Sequence, residues 1–550
     1  MNTDIVRIYK EVHTWTGILA GLALFIAFYA GAITMFKEPL ARWAAAPGAG
    51  AAQVSLERAP ELIARTLEAR PDVAGQFTLV LQDHEAIPAR LVWFQRAAEG
   101  APRERGEIPG VWSASLDGED RLQLRQESPS MLAELVDILH RTAGVPGDID
   151  IGMGFMGVVS MLYAVALVSG VIVLLPTLVK DFFAVRLGRN LKRMWLDAHN
   201  VVGIVSLPFH LIMALSGVVF GLHDLFYDTQ DKVIYEERLP ELFRAHSPFV
   251  PPAASGDGTA MLEPDRLLAR VRELNPAFEP TAMTYQNAGD AAASVLVRGT
   301  EPGYLLRTQG YLLLGAVDGR VLNSYYFPGE RNSWTALASS FFSLHFGSYG
   351  GEPVRWSYFF LGLAGAFLFY SGNLLWIESR RRAERRGGGP VQQRRSTRLL
   401  AAGTVGVCLG CIAGISATIV AAKWLHGRVE APVVWHMGIY YAVFLGSLAW
   451  AFARGGARAS VHLLWLASAA TLAIPATTLL AWGVPALGLW GNTSAAALGV
   501  DITALAGALC FAWMARGTAR RVDSGPADSV WSGGVAGRGR ADEQPVNTVN

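Results

Sequence analysis

Apolar runs long enough to cross a bilayer as helices, about 20 residues each, occur at roughly 14–36, 152–178, 199–222, 355–377, 399–422, 432–453, 461–482 and 497–515. They predict a polytopic α-helical membrane protein with eight transmembrane helices. Two of the intervening polar stretches are long, Glu38 to Asp137 and Asp224 to Glu352. Each opens on a helix pattern, Leu56 to Ala69 and Pro264 to Leu274, and then shifts to period-2 runs that read as strands. The strand candidates are Phe77 to Leu81, Arg90 to Phe94 and Gly110 to Leu116 in the first stretch, and Thr281 to Gln286, Ser294 to Arg298 and Leu312 to Ala316 in the second. An Asp-Gly turn follows in each, at Asp117-Gly118 and Asp318-Gly319. The pattern therefore predicts two small α+β external domains, one between helices 1 and 2 and one between helices 3 and 4.

The chain is internally duplicated. His13, Gly17 and Gly31 recur as His199, Gly203 and Gly217, at a constant offset of 186. Both long loops end in Leu-His, Leu139-His140 and Leu344-His345, before a helix that closes with Ser-Gly, Ser169-Gly170 and Ser371-Gly372. The chain is thus two copies of a helix, external domain, helix unit, followed by a four-helix module.

Basic residues orient these elements. Lys180, Arg186, Arg189, Lys192 and Arg193 lie between helices 2 and 3, and eight arginines fall between Arg380 and Arg398. Arg454 and Arg458 separate helices 6 and 7, and Arg516, Arg520 and Arg521 follow helix 8. These segments and both termini belong in the cytoplasm, and the two long loops outside. The expected layout is helix 1 to residue 37, external domain 38–150, helices 2 and 3 within 151–222, external domain 223–352, and helix 4 at 353–378. A basic linker at 379–398, the four-helix module at 399–517 and a disordered tail at 518–550 complete it. Arg7, Lys10, the first apolar run and Trp43-Ala44-Ala45-Ala46 resemble a cleaved signal peptide. The length of the run and the helix 3 counterpart argue for a retained helix.

Composition agrees: of 550 residues 51% are hydrophobic and 17% charged, the profile of a membrane protein. A net charge of +1 points to no nucleic-acid partner. Cys408, Cys411 and Cys510 all fall in apolar segments, so no external disulfide framework is available. The pair Cys408 and Cys411 reads as small buried hydrophobes.

The stretch Leu191 to Asp224 concentrates the candidate chemistry, because it carries three histidines in an apolar run and an intramembrane ionisable group marks function by default. His199 and His210 are eleven residues apart, about 16 Å along a helix. On one continuous helix they share a face at two depths.

The H-x-W-x-G start at His13, Trp15 and Gly17, the external α+β domain, and the Leu-His preceding a helix that ends in Ser-Gly resemble the PepSY-associated transmembrane family, over about residues 5–380. In the second copy Val201 stands where Trp15 does, and the four helices after Arg398 lie beyond the family core. The resemblance implies an iron-regulated bacterial inner-membrane protein of the ferric-siderophore reductase type, with PepSY-like periplasmic domains and b-type haem.

Imidazoles on facing helices are a standard way to hold low-spin haem. His13 and His199 sit at the cytoplasmic ends of equivalent helices in the two copies and would bracket one iron; His140 and His345, at the external ends of helices 2 and 4, would bracket a second. The bland alternative for each is a hydrogen bond to a headgroup or carbonyl, and recurrence at duplicated positions favours ligation. Second-tier candidates are His210, which has Leu24 as counterpart, and His223, which has Lys37. His84 and His246 read as surface residues, and His436 and His462 as interface residues or part of a cofactor or quinone site. Gly17, Gly21, Gly31, Gly203 and Gly217 suit either a flat porphyrin or close helix packing.

The resulting expectation is a membrane reductase holding one or two haem b groups. It would take electrons from a cytoplasmic donor and pass them to a periplasmic ferric chelate, with Tyr325, Tyr326, Phe327 and Trp334 as a candidate platform. The alternatives are a non-enzymatic scaffold or sensor whose external domains bind peptides or partners, and a transporter.

Overall fold

The computed structural model of the chain describes residues 3–46, 54–82, 89–94, 110–117, 119–127, 130–179, 191–247, 249–386, 393–526 and 528–533. The first copy runs α1 (Thr3–Thr34), α2 (Lys37–Ala44), α3 (Ala59–Ala69), β1 (Gln76–Val80), β2 (Leu91–Phe94), β3 (Val111–Leu116), β4 (Leu122–Glu127), α4 (Leu132–Thr142) and α5 (Ile149–Leu174). The second runs α6 (Leu191–Val205), α7 (Leu207–Val233), α8 (Leu239–His246), α9 (Pro264–Leu274), β5 (Glu279–Gln286), β6 (Ser294–Thr300), β7 (Gly310–Gly315), β8 (Val321–Asn323), α10 (Ser333–Phe346) and α11 (Gly351–Arg386). The final module is α12 (Arg395–Leu425), α13 (Pro432–Arg454), α14 (Gly456–Gly483) and α15 (Ala495–Ser524). Among the described residues eight helices are long and apolar enough to span a membrane: α1, α5, α7, α11 and α12 to α15. The chain is a multi-pass membrane protein with extramembrane α+β structure.

The two extramembrane units join into one eight-stranded antiparallel sheet, ordered β4-β3-β2-β1-β5-β6-β7-β8. The seam is β1 against β5, with Thr78 opposite Thr284 and Phe77 opposite Tyr285. The two threonine hydroxyls meet at 3.0 Å, and the Phe77 and Tyr285 rings stack at 4.9 Å and 9°. Because equivalent strands pair antiparallel, the seam acts as an approximate two-fold axis for the whole duplication. One core serves both halves, with Leu62, Leu79 and Leu91 packed alongside Leu267, Met283 and Val297. Fully burying aliphatic side chains of this size contributes about 1.5–3 kcal/mol each.

Four expectations need correction. The third span is not one helix: α6 ends at Val205 and α7 begins at Leu207. Pro208 in the first turn of α7 has no N–H to donate and crowds the preceding turn, which breaks the helix there. His140 and His345 lie on the separate short helices α4 and α10 rather than on the spanning helices. Left-handed residues at the ends of both, Ala143 and Gly347, turn the chain into α5 and α11. Strands β4 and β8 carry no strong apolar alternation, being a half-exposed edge strand and a three-residue strand. Finally, α15 continues to Ser524, and residues 528–533 fold back, with Arg381 on Asp528 at 3.0 Å and the Gly533 amide on Val522 O.

The four-helix module is fastened to the duplicated core at both faces. Near the sheet, the fully buried Trp43 of α2 donates to Asp501 Oδ1 at 2.8 Å, and Tyr441 donates to Gly144 O at 3.2 Å. Deeper, Asn373 donates to Thr404 Oγ1 at 3.1 Å. Helix α12 sits centrally, and small residues let its neighbour close in: a Cβ on Gly406 would lie 2.8 Å from Leu448, and one on Gly410 would lie 3.0 Å from Ser447. Cys408 and Cys411 are buried here.

Candidate functional site

Two histidine pairs form, one between α1 and α6 and one between α4 and α10. His13 and His199 face each other with ring centres 6.4 Å apart and planes at 80°. His140 and His345 do the same at 6.1 Å and 42°. Both separations lie at the long end of the range for tilted or edge-on ring pairs, and the two are closely similar. Two imidazoles bonded to one metal, at roughly 2 Å per metal–nitrogen bond plus the ring radius on each side, place their centres about 6 Å apart.

The hydrogen bonds fix which nitrogen is available. His13 Nδ1 donates to Ala166 O at 2.8 Å, and His140 Nδ1 donates to Ala27 O at 2.8 Å. A carbonyl can only accept, so Nδ1 carries a proton, and in the neutral ring Nε2 then has the lone pair. In the second copy a serine is interposed. His199 Nδ1 lies 2.9 Å from Ser371 Oγ, whose hydroxyl donates to Leu368 O at 3.1 Å. His345 Nδ1 lies 2.5 Å from Ser216 Oγ, whose hydroxyl donates to Ile212 O at 2.5 Å. With the serine proton committed, its oxygen accepts from the ring. All four imidazoles thus have the orienting partner on one nitrogen that metal-ligating histidines characteristically have.

The glycines divide into two groups. Some clear room for the rings themselves: a Cβ on Gly31 would stand 2.7 Å from His140 Nδ1, and one on Gly170 would stand 2.9 Å from His13. Gly17 and Gly203, one turn beyond His13 and His199 on the same helix faces, have no heavy atom within 4 Å of a built Cβ. An open cradle therefore flanks the first pair on both copies. Along α1, His13 and Ala27 are fourteen residues apart, so the two pairs stand about 21 Å apart in depth.

Between the pairs lies an aromatic layer, Phe28, Tyr163, Phe209 and Phe369, with Phe28 and Phe369 rings 5.1 Å apart. His210 belongs to this layer. Its Nδ1 lies 2.5 Å from the Tyr163 hydroxyl, and its buried Nε2 has no partner among the described residues. Tyr163 and the interposed serines were not singled out in the sequence, although the Ser-Gly repeats marked the position of Ser371. His223 is engaged locally on both nitrogens, with Phe220 O and with Asp224 Oδ1 at 3.1 Å, and does not join a pair.

The remaining candidates disperse. His84 lies outside the described residues. His436 is buried without a partner on either nitrogen among the described residues, and His462 accepts from Trp450 Nε1 at 3.2 Å. Of the proposed aromatic platform, Phe327 packs on Phe278 in the sheet core, Trp334 is 78% exposed, and Tyr325 and Tyr326 stay together with rings 5.0 Å apart. No group of three or more His, Cys, Asp or Glu that could hold a bare metal ion occurs among the described residues.

A relative in Pseudomonas aeruginosa, an uncharacterized protein, is 28% identical over 331 residues, covering 56% of this chain and 79% of its own length. The family model for the PepSY-associated TM region matches residues 10–379, which takes in both histidine pairs, the whole sheet and most of α11. With that match spanning well over half its length, the chain belongs to the PepSY-associated transmembrane family.

Proposed function

We propose that the chain is a haem-containing inner-membrane reductase that carries electrons from the cytoplasmic side to a ferric chelate at the periplasmic sheet. The observation that carries this reading is the pair of histidine gaps, 6.4 and 6.1 Å between ring centres, each with Nδ1 already occupied. His13 with His199, and His140 with His345, would each hold one b-type haem. Bound there, haem supplies reversible one-electron chemistry between Fe(III) and Fe(II).

The chain's own residues do the rest. Ala166 O, Ser371, Ala27 O and Ser216 orient the four rings through Nδ1, which leaves Nε2 of each as the nitrogen that would meet the iron. Gly17 and Gly203 leave the flat space a macrocycle requires. The aromatic layer around Phe28 excludes water between the two depths. Basic residues at the ends opposite the sheet, including Arg193, Arg381, Arg454 and Arg521, favour the cytoplasm for that face. A ferric chelate of oxygen donors loosens on reduction because Fe(II) binds such donors more weakly.

His13→Ala and His199→Ala should each remove one haem signal and abolish electron flow from inside proteoliposomes to an external ferric chelate. Full haem stoichiometry with normal electron flow in either variant would overturn the reading.

A further inference from the structure

From the sheet-side pair a line of stacked groups leads outward. The Phe220 ring stands edge-on to His345 at 4.9 Å, and Phe342 stacks on Phe220 at 4.7 Å and 18°. The Arg307 guanidinium lies over Phe342, 4.1 Å from its centre. Three successive contacts thus join a buried imidazole to an exposed cation. The loop that carries Arg307, between β6 and β7, is tied down at Arg307 and at the two residues before it. Arg331 Nη1 donates to Leu305 O at 3.1 Å, and Ser348 Oγ lies 3.0 Å from Leu306 O and 3.1 Å from Arg307 O. Ser348 follows His345 by three residues, so these bonds tie the loop to the end of the histidine helix.

Arg307 also stands out electrostatically. The loop of chain that contains it, Asp224 to Glu352, has 16 acids against 10 bases, yet no described carboxylate lies within ion-pair distance of its guanidinium. Tyr326 is close enough to feel the charges of Tyr325, Arg307 and Tyr227, and burial pushes its hydroxyl pKa up. Tyr325 and Tyr227 are 38% and 45% exposed, and Phe249 backs Tyr326 at 6.2 Å.

We propose that Arg307, with Tyr326, Tyr325 and Tyr227, is the docking surface for a ferric chelate that carries negative charge and aromatic oxygen-donor rings. The inference rests on reading the His140–His345 pair as the sheet-side haem site. A guanidinium pairs with oxyanions in a bidentate fork and stacks on rings, and phenols supply both ring faces and hydroxyl donors. One electron converts the bound Fe(III) to Fe(II); no bond to the protein forms, and the metal then leaves the weakened chelate.

The test is equilibrium dialysis of iron-labelled complexes against the full chain in lipid nanodiscs. The anionic aromatic probe is ferric tris(catechol disulfonate), and the neutral comparison is ferric tris(acetohydroxamate). The wild-type chain should bind the anionic probe more tightly. Arg307→Glu should weaken that binding about ten-fold or more, the scale of reversing a charge at a docking surface, and Tyr326→Ala should weaken it several-fold. Both variants should bind the neutral complex as wild type does. Wild-type affinity for the anionic probe in both variants, or a wild-type preference for the neutral complex, would overturn the assignment. Dialysis reads binding with or without haem, so a haem-free preparation counts against the proposed function alone. Phe220→Leu, at wild-type haem content, should bind the probe normally while the reduced protein is reoxidised more slowly by it. An unchanged rate would show that electrons leave elsewhere.

Discussion

The most discriminating perturbation fills space that the protein itself does not use. A Cβ at Gly17 or Gly203 meets no heavy atom within 4 Å. A side chain at either position therefore meets no overlap at its Cβ, and replacing a helical glycine favours the helix by up to about 1 kcal/mol. Judged by the chain alone, Gly17→Leu and Gly203→Leu should be neutral or mildly stabilising. The cradle reading gives the opposite functional result. Each leucine would project from a position one turn beyond a ligand histidine, with Cβ atoms about 5–6 Å apart, where the edge of a macrocycle bracketed by His13 and His199 must run. The double variant should keep its thermal unfolding temperature in the haem-free state and lose half its haem, as measured by scanning fluorimetry and a pyridine haemochrome assay. Retention of both haems with an unchanged spectrum would refute the placement of the first site.

Other expectations follow from the same geometry. Gly31→Ala puts a Cβ 2.7 Å from His140 Nδ1, against ordinary contact near 3.5–4.0 Å. The ring must shift by more than the roughly 0.5 Å that binding constellations tolerate, so the His140–His345 haem should be lost and the other kept, read as the loss of one of two redox steps in a potentiometric titration. Ser371→Ala removes the acceptor that orients His199 and should shift the potential of that haem while leaving its stoichiometry largely intact, in the same titration. Trp43→Phe removes the donor to buried Asp501 and should destabilise the chain by about 1–3 kcal/mol in detergent, by chemical denaturation. In the sheet, backbone hydrogen bonds from Ser255 and Ala292, with the Ser255 hydroxyl and the Gly256 amide, hold the Asp290 carboxyl well below the usual carboxylate range. A depressed folded pKa means that the stabilisation is complete above about pH 4 and is lost as the pH falls through the folded value. Asp290→Asn should flatten that acid limb, monitored by tyrosine and tryptophan fluorescence.

The helices were legible because length and apolarity suffice to mark a span, and the break before Pro208 was hidden because a hydropathy run does not register one missing N–H. The histidine pairing was legible because duplication reduces the choice: His13 and His199 share the offset of Gly17 and Gly203, so any two-fold arrangement sets them at one depth. What no local pattern encodes is the joining of the two external units. The β1–β5 seam pairs residues about two hundred positions apart, and each strand by itself reads as an ordinary edge. Nor does any spacing show that Ser216 and Ser371 stand between a ring and a carbonyl where the first copy has direct bonds. Arg307 was equally hidden, since its significance lies in Phe342 and Phe220, which are remote in sequence or on other elements.

The most direct measurement is the visible absorption spectrum of the purified chain, oxidised and then reduced with dithionite, with haem per chain determined by pyridine haemochrome. The account predicts sharp reduced bands of bis-histidine b-type haem at two haems per chain, one for each histidine pair. A colourless protein that stays so when haem is supplied during expression would contradict it and return the four histidines to a structural role.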